Sequence, residues 1–333
     1  MSKLQEPISA VPTNIITGFL GVGKTSAILN LMRYKPENER WAILVNEFGE
    51  IGVDGSLFEG SSSEGQQVYI REIPGGCMCC AAGLPMQIAL NQLLTHSRPD
   101  RLLIEPTGLG HPKEVLEVLS SKNYREVLSL QKIITLVDAR KLSEPKYTEH
   151  DTFNQQIDIA DIVVGNKTDL YAAGDNELLS DYVSQRANKE GTPLVYTIQG
   201  DIPLELLDGE TSSVAQQSHH HHHNTTKPLA SELPIPPRGY IKAVNSGEGF
   251  NSVGWRFAPN KVFSRQKLIA LLVTIEAERL KAVFITQDGI FGYNMTSDEL
   301  QEGELDDCKE SRIEIIASTI DSSLEEKLLN CLV

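Results

Sequence analysis

The feature that most constrains this chain is a phosphate-binding motif placed between a strand pattern and a helix pattern. Residues 18–25 read GFLGVGKT, which fits G-x-x-x-x-G-K-[ST]. The backbone N–H groups of such a loop surround phosphate oxygens, its lysine reaches the β- and γ-phosphates, and its hydroxyl binds Mg²⁺. The apolar run 14–17 precedes the loop, and the helical pattern 26–34 adds a helix N-terminus that favours anions. These residues predict a nucleoside-triphosphate site.

The predicted nucleotide contacts in this loop are Gly18, Gly21, Val22, Gly23, Lys24, Thr25 and Ser26. Lys24 and Thr25 are also predicted to act in catalysis, through the γ-phosphate and the metal ion. A glycine-rich turn can match the motif by chance, but here the flanking strand and helix patterns agree with it. The motif does not specify the base.

Strand and helix patterns alternate over the first two hundred residues. The apolar, β-branched runs are 14–17, 41–45, 68–73, 101–104, 133–137, 161–164 and 193–197, and the helical patterns are 26–34, 84–96, 112–120 and 177–186. This alternation predicts an α/β fold with a doubly wound, mostly parallel sheet. Near-continuous apolar strands such as AILV suit a sheet that is covered on both faces.

The composition changes after residue 207. Residues 208–237 hold Ser, Thr, Gln, five consecutive His and the run LPIPP, as expected of an exposed linker. Beyond it we predict strands at 239–244, 254–257, 281–286, 290–293 and 312–317, and helices at 264–276 and 323–332. The chain is therefore expected to comprise a nucleotide-binding domain (1–207), the linker, and a small α+β domain (238–333).

A guanine-recognition motif follows the apolar run 161–164. Residues 166–169 read NKTD, the pattern N-K-x-D. The Asp169 carboxylate can accept hydrogen bonds from the N1–H and the exocyclic amino group of guanine, a donor pair that adenine lacks. Lys167 is expected to lay its stem along the base. We predict that Asn166, Lys167 and Asp169 bind GTP, although such a tetrapeptide alone also occurs in surface loops.

A carboxylate ends another strand pattern. Glu105 terminates the run LLIE and occupies the usual place of a residue that orients Mg²⁺ and its waters, with a strand-end cap as the alternative. Gly108, three residues later, is expected to offer its N–H to the γ-phosphate. Lys24, Thr25 and Glu105 are thus predicted to act in hydrolysis.

The strand pattern 41–45 leads into the acidic loop NEFGE. Such a loop can sense the γ-phosphate or position water. The sequence leaves open whether Glu47, Glu50 or Asp54 does so; we assign Glu47 as a catalytic residue and Glu50 as a candidate metal ligand. Because no arginine finger is recognisable, we expect slow intrinsic turnover.

Three cysteines crowd into four positions after the strand pattern 68–73. They are Cys77, Cys79 and Cys80, preceded by two glycines. Thiolates are the ligands that Zn²⁺ and Cu(I) prefer, and three of them leave the fourth position of a tetrahedral site open for exchange. Buried small hydrophobes and a redox site are the alternatives; the spacing is not the C-x-x-C of dithiol oxidoreductases. We also expect this motif at the ligand-binding edge of the sheet, near the nucleotide.

Two groups of histidines are further candidate ligands. His219, His220, His221, His222 and His223 form a run within the linker. A flexible imidazole run can capture metal and pass it to the thiolates, while an inert low-complexity tract or an expression tag is the alternative. His111 begins the helical pattern 112–120, where it is either a metal ligand or an ordinary loop histidine.

The charge of the chain excludes some classes of partner. Thirty Lys and Arg against 45 Asp and Glu give a net charge of −15, which opposes binding to nucleic acid or to an anionic membrane. The N-terminal residues show no apolar signal core, and the longest aliphatic run, 268–275, is too short to span a bilayer. We therefore expect a cytoplasmic protein that binds neither.

These motifs together resemble the CobW family of P-loop GTPases, with the YeiR-like zinc-binding branch as the nearest match. The segments that carry the resemblance are GFLGVGKT, WAILVNEFGEIGVDG, EIPGGCMCC, GLPMQ, PDRLLIEPTGLGHPK, NKTD and YIKAVNSGEGFNSVGWRF. The resemblance covers essentially the whole chain. This chain has Val45 at a position where some relatives carry Glu. A metal-binding role of that Glu therefore cannot be assigned to this chain.

The resemblance implies Mg²⁺-dependent GTP hydrolysis and zinc bound at Cys77, Cys79 and Cys80. It implies a zinc chaperone that delivers metal to client proteins, with a possible homo-oligomer. The alternatives are a GTP- and zinc-regulated switch that delivers no metal, and a P-loop small-molecule kinase, which NKTD disfavours. GTP, Mg²⁺ and Zn²⁺ are the expected cofactors; cobalt and nickel remain open as the metal.

Overall fold

The computed structural model describes residues 7–46, 68–73, 84–186, 191–213, 234–247, 249–296, 299–305 and 307–333. The chain divides into two compact units, one built on a mostly parallel sheet and one on an antiparallel sheet. None of the helices in these segments has the length and apolar character that crossing a membrane requires.

The first unit is built on a sheet that has eight strands within the described residues. They are β1 (Val11–Gly18), β2 (Trp41–Asn46), β3 (Val68–Ile73), β4 (Arg101–Glu105), β5 (Leu128–Leu130), β6 (Ile134–Val137), β7 (Ile162–Gly165) and β8 (Leu194–Tyr196). Their order is β3-β2-β4-β1-β6-β7-β8, and β5 also pairs with β1. The pairs β1–β4, β2–β4, β1–β6, β6–β7 and β7–β8 are all parallel, which confirms the predicted doubly wound fold.

Helices connect these strands and cover the sheet. They are α1 (Lys24–Tyr34), α2 (Leu84–Ser97), α3 (Pro112–Leu119), α4 (Pro145–Thr148), α5 (Asp151–Asp158) and α6 (Asp175–Arg186), with short 3₁₀ turns at Ala139–Ser143, Thr168–Leu170 and Leu204–Leu207. The central strands are buried almost throughout, as the continuous apolar runs predict for a sheet with two covered faces.

A polar side chain interrupts the sheet beside β1. The predicted strand 133–137 is β6, whereas β5 was not predicted; both pair with β1, and the ladder breaks between them. Asn14 is fully buried on β1, and its Nδ2 donates to the carbonyl oxygen of Lys132 in that break, at 2.9 Å. The side-chain amide therefore replaces a missing ladder bond.

The second unit is an antiparallel sheet with helices on one face. In the described residues its strands are β9 (Tyr240–Gly247), β10 (Phe250–Phe257), β11 (Arg279–Thr286), β12 (Gly289–Met295), β13 (Leu300–Leu305) and β14 (Ser311–Ala317), in the order β13-β12-β11-β14-β10-β9. Helices α7 (Arg265–Leu272) and α8 (Leu324–Leu329) pack on this face. The hydrophobic core between these helices and the sheet includes Trp255, Phe263, Phe284, Tyr293 and Leu328.

Several bounds in this unit differ from the sequence prediction: β10 begins at Phe250 instead of residue 254, and the last helix ends at Leu329 instead of residue 332. Helix α7 ends at Leu272, four residues before the predicted end, and Val273, which caps it, is exposed. The apolar residues that follow therefore belong to the connection and not to the helix. Strand β13 was not predicted, because its sequence LQEGEL is polar, as is common on an edge strand.

Candidate nucleotide-binding site

The phosphate loop joins β1 to α1 and depends on three glycines. Gly18, Gly21 and Gly23 have φ angles of 143°, 70° and 96°. A Cβ on Gly18 would lie 2.4 Å from the carbonyl oxygen of Leu136, and one on Gly23 would lie 2.6 Å from Asn166 Nδ2. Glycine is therefore required both for the backbone conformation and for the close approach. The helix begins at Lys24, two residues earlier than predicted, so Lys24 and Thr25 belong to its first turn.

Lys24 folds back over the loop that precedes it. Its Nζ donates to the carbonyl oxygens of Gly18 at 2.8 Å and Phe19 at 3.1 Å, and the side chain is buried. The buried ammonium group of Lys24 therefore places a positive charge inside the phosphate loop. This arrangement fits an anionic ligand.

Thr25 and Glu105 meet beneath the loop. The Thr25 hydroxyl donates to Glu105 Oε1 at 3.1 Å, and only 2% of Glu105 is exposed. Glu105 ends β4, which pairs with β1 in parallel register, so both groups lie at the carboxyl end of the sheet. A hydroxyl and a carboxylate are oxygen ligands of the kind that Mg²⁺ prefers, and the donor set therefore fits this ion.

Gly108 lies directly against the phosphate loop. A Cβ at this position would approach the backbone nitrogen of Leu20 to 2.9 Å. The Gly108 carbonyl accepts a hydrogen bond from Gln156 Nε2 at 3.0 Å. Three residues on, the N-cap of α3 is His111, whose ring contacts Gln155 Oε1 at 3.3 Å. The segment after β4 is thus held between the phosphate loop and α5.

Asn166 links three parts of the site. Its Nδ2 donates to the carbonyl oxygen of Val22 at 2.8 Å, and its Oδ1 accepts from Thr197 Oγ1 at 3.1 Å and from Gly200 N at 2.8 Å. The side chain is buried. Asn166 therefore ties the phosphate loop to the segment that follows β8.

The rest of the NKTD motif turns outward. Lys167 has a left-handed φ of 65°, and its Nζ lies 4.0 Å from Asp138 Oδ2. Asp169 is exposed in the 3₁₀ turn that follows. The Asp169 carboxylate is therefore accessible to a ligand, and it lies three residues after Asn166, which contacts the phosphate loop. Asp138, which follows β6 and also binds Arg140, contacts the motif without having been predicted to do so.

Residues 197–200 also belong to the site, although the sequence analysis missed them. The hydroxyl and the backbone N–H of Thr168 both donate to the Thr197 carbonyl at 3.2 Å. Asn30 Nδ2 donates to the carbonyl oxygen of Gln199 at 2.8 Å. Gly200, with a φ of 71°, packs against Ala27 of α1. Gly200, which stands three residues after the strand pattern 193–197, was the available signal.

An aromatic cluster anchors the phosphate loop from the other side. Phe19 is buried, with its ring centroid 4.9 Å from that of His150 and 5.7 Å from those of Tyr147 and Phe153. These rings come from α4, from α5 and from the residue that caps α5. Edge-to-face packing of this kind fixes the loop relative to α5.

Several predicted residues lie outside the described residues. They are Glu47, Glu50, Asp54, Cys77, Cys79, Cys80 and His219, His220, His221, His222 and His223. Within the part of the chain that the structure describes, no group of three or more His, Cys, Asp or Glu is placed to hold a metal ion. The three-cysteine zinc site and the linker histidines therefore stay predictions.

The chain is similar to a described protein family and to several named proteins. Residues 12–192 match a family model described as CobW/HypB/UreG, nucleotide-binding domain. The chain is 39% identical over 312 residues to the zinc chaperone YeiR of Escherichia coli strain K12, which covers 92% of this chain and 93% of that protein. It is 31% identical over 210 residues to the zinc chaperone YjiA of the same strain, or 60% of this chain and 61% of the relative. The crystal structure of Zn(II)-bound YjiA GTPase from E. coli aligns with 96% of both chains at a TM-score of 0.43 and 18% identity.

Proposed function

This chain belongs to the CobW/HypB/UreG family, and from that premise we propose that it is a GTP-hydrolysing metallochaperone that carries zinc to client proteins. The observation that carries the proposal is the constellation beneath the glycine loop. Buried Lys24, Thr25 and Glu105 converge at the carboxyl end of β1 and β4. The NKTD motif is joined to the same loop through Asn166.

The residues beneath the loop have separable roles in hydrolysis. Lys24 binds the β- and γ-phosphate oxygens in place of the loop carbonyls that it contacts here. Thr25 and Glu105 would hold Mg²⁺ through their hydroxyl and carboxylate oxygens. When bound, the ion neutralises charge on the β- and γ-phosphates. Gly108 presents its backbone to the γ-phosphate.

Asp169 supplies the selectivity for guanine. Its carboxylate is exposed, and the turn that carries it is fixed by hydrogen bonds from Thr168 to Thr197. It accepts hydrogen bonds from N1–H and the exocyclic amino group of the base. Adenine offers no such pair and would leave the carboxylate without partners.

Zinc is the cargo, and Cys77, Cys79 and Cys80 are its ligands. Two relatives, one of which matches over nearly the whole chain, are named zinc chaperones. Three thiolates bind zinc tightly and leave one coordination position for an exchanging ligand from a client. Hydrolysis of GTP would change the loops next to the phosphates, and with them the affinity of the thiolates for zinc.

Zinc transfer tests this function directly. The zinc-loaded protein is mixed with an apo zinc-finger peptide, and transfer is followed by the peptide's folding signal. We expect GTP with Mg²⁺ to raise the transfer rate about tenfold, within the usual range of coupling between sites, and Cys79→Ala to abolish that rise. GTP hydrolysis without faster transfer would instead support the alternative, a GTP- and zinc-regulated switch. Absence of hydrolysis would refute both.

A further inference from the structure

A buried glutamine on α5 has no role in the function described so far. Only 1% of Gln156 is exposed, and it lies between the core residues Phe153 and Ile157 of the same helix. Burial of an amide is unfavourable unless the amide is hydrogen-bonded. Its Nε2 donates to the carbonyl oxygen of Gly108 at 3.0 Å. The Gln156 backbone is fixed as well, because its carbonyl accepts from Thr135 Oγ1 at 2.7 Å.

The bond from Gln156 fixes the part of the chain that touches the phosphate loop. Gly108 is buried and packs so closely on Leu20 that even one added carbon would lie 2.9 Å from the Leu20 nitrogen. A small rotation of the Gly108 peptide would therefore change its position relative to the loop. The Gln156 amide opposes that rotation by holding the carbonyl.

Helix α5 also holds the phosphate loop itself. Phe153 packs its ring against that of Phe19, with centroids 5.7 Å apart. The same helix thus contacts the phosphate loop on one side and the Gly108 segment on the other, and Gln155 contacts His111 at the far end of that segment. Helix α5 therefore sets the position of the Gly108 segment relative to the phosphate loop.

We infer that Gln156 is a positioning residue for GTP hydrolysis: it holds Gly108 against the phosphate loop without contacting the nucleotide. The inference rests on the proposed GTPase function. Its consequence concerns the γ-phosphate, because Gly108 faces the loop that binds it. Loss of Gln156 should therefore slow hydrolysis and weaken GTP binding, while GDP binding should hardly change.

The test replaces Gln156 by methionine, which has a similar length and no donor. Asn154→Leu is the matched control, since Asn154 is a buried amide of the same helix that bonds Thr148 and Tyr182 away from the site. Both substitutions should lower the melting temperature. Only Gln156→Met should lower kcat, by about tenfold, with GDP affinity within about twofold of the unchanged protein.

A second variant separates positioning from packing. In Gln156→Glu the ionised carboxylate cannot donate to the Gly108 carbonyl, whereas the protonated form can. We expect its hydrolysis rate, divided by that of the unchanged protein, to rise about tenfold as pH falls from about 8 to about 5.5, because burial raises the pKa of a carboxyl. A ratio that is flat with pH, or equal losses in Gln156→Met and Asn154→Leu, overturns the inference. Lack of hydrolysis by the unchanged protein overturns instead the function on which it rests.

Discussion

Replacing Lys24 with alanine is expected to lower kcat for GTP hydrolysis by about 10²–10³-fold, the usual cost of removing one hydrogen-bond donor to transition-state charge. Lys24 supplies a buried positive charge at the centre of the phosphate loop, where its Nζ binds the Gly18 and Phe19 carbonyls. Alanine removes this buried charge from the loop. Phosphate release at saturating GTP and Mg²⁺ measures the effect.

Lys35 provides a closely matched control for this substitution. It follows the other end of α1, and its Nζ also donates to two backbone carbonyls, those of Pro36 at 3.0 Å and Glu39 at 2.7 Å. Lys35→Ala should leave kcat within about twofold of the unchanged protein. Similar kcat values for Lys24→Ala and the unchanged protein would show that hydrolysis does not depend on the Lys24 ammonium.

Exchanging Asp169 for asparagine is expected to weaken GTP binding by about 10³-fold and to strengthen binding of XTP. Two hydrogen bonds to a carboxylate contribute about 2 kcal/mol each, and both are lost or weakened. The new amide can donate to the C2 carbonyl of xanthine and accept from its N1–H. Because Asp169 is exposed, the change should leave the free energy of unfolding nearly unaltered.

The change in base preference is measured by competition of GTP and XTP for a fluorescent nucleotide. Asp181→Asn, an exposed change of the same kind on α6, should leave both affinities unaltered. If Asp169→Asn has the same affinity for GTP as the unchanged protein, and no higher affinity for XTP, the NKTD motif does not determine base selectivity.

The phosphate loop was predictable because its backbone demands particular residues. Glycines at left-handed φ angles, a lysine and a hydroxyl follow in fixed order, and a buried strand and a helix flank them. The same holds for Glu105, whose place after a continuous apolar run puts it at the carboxyl end of the sheet. At these positions the local sequence pattern and the position in the folded domain favour the same residues, and the pattern alone therefore predicts the site.

Helix α5 was not predictable, because its buried face is partly polar. Thr152, Asn154 and Gln156 are all buried, so apolar periodicity does not mark the helix. Two of their partners, the Gly108 carbonyl for Gln156 and the Tyr182 hydroxyl for Asn154, lie 48 and 28 residues away in the sequence. The bond from Asn166 to the Val22 carbonyl and the bond from the Gly200 N–H to Asn166 were not predicted for the same reason, since only the folded chain brings these groups together.

The central claim is that guanine nucleotide and zinc are coupled through one domain. The most direct measurement is the zinc dissociation constant of the full chain, determined by chelator competition with a non-hydrolysable GTP analogue and again with GDP. The proposed function predicts that the two constants differ by about tenfold or more, and that the difference disappears when Cys77, Cys79 and Cys80 are all replaced by serine. Equal zinc affinity in the two nucleotide states would contradict it.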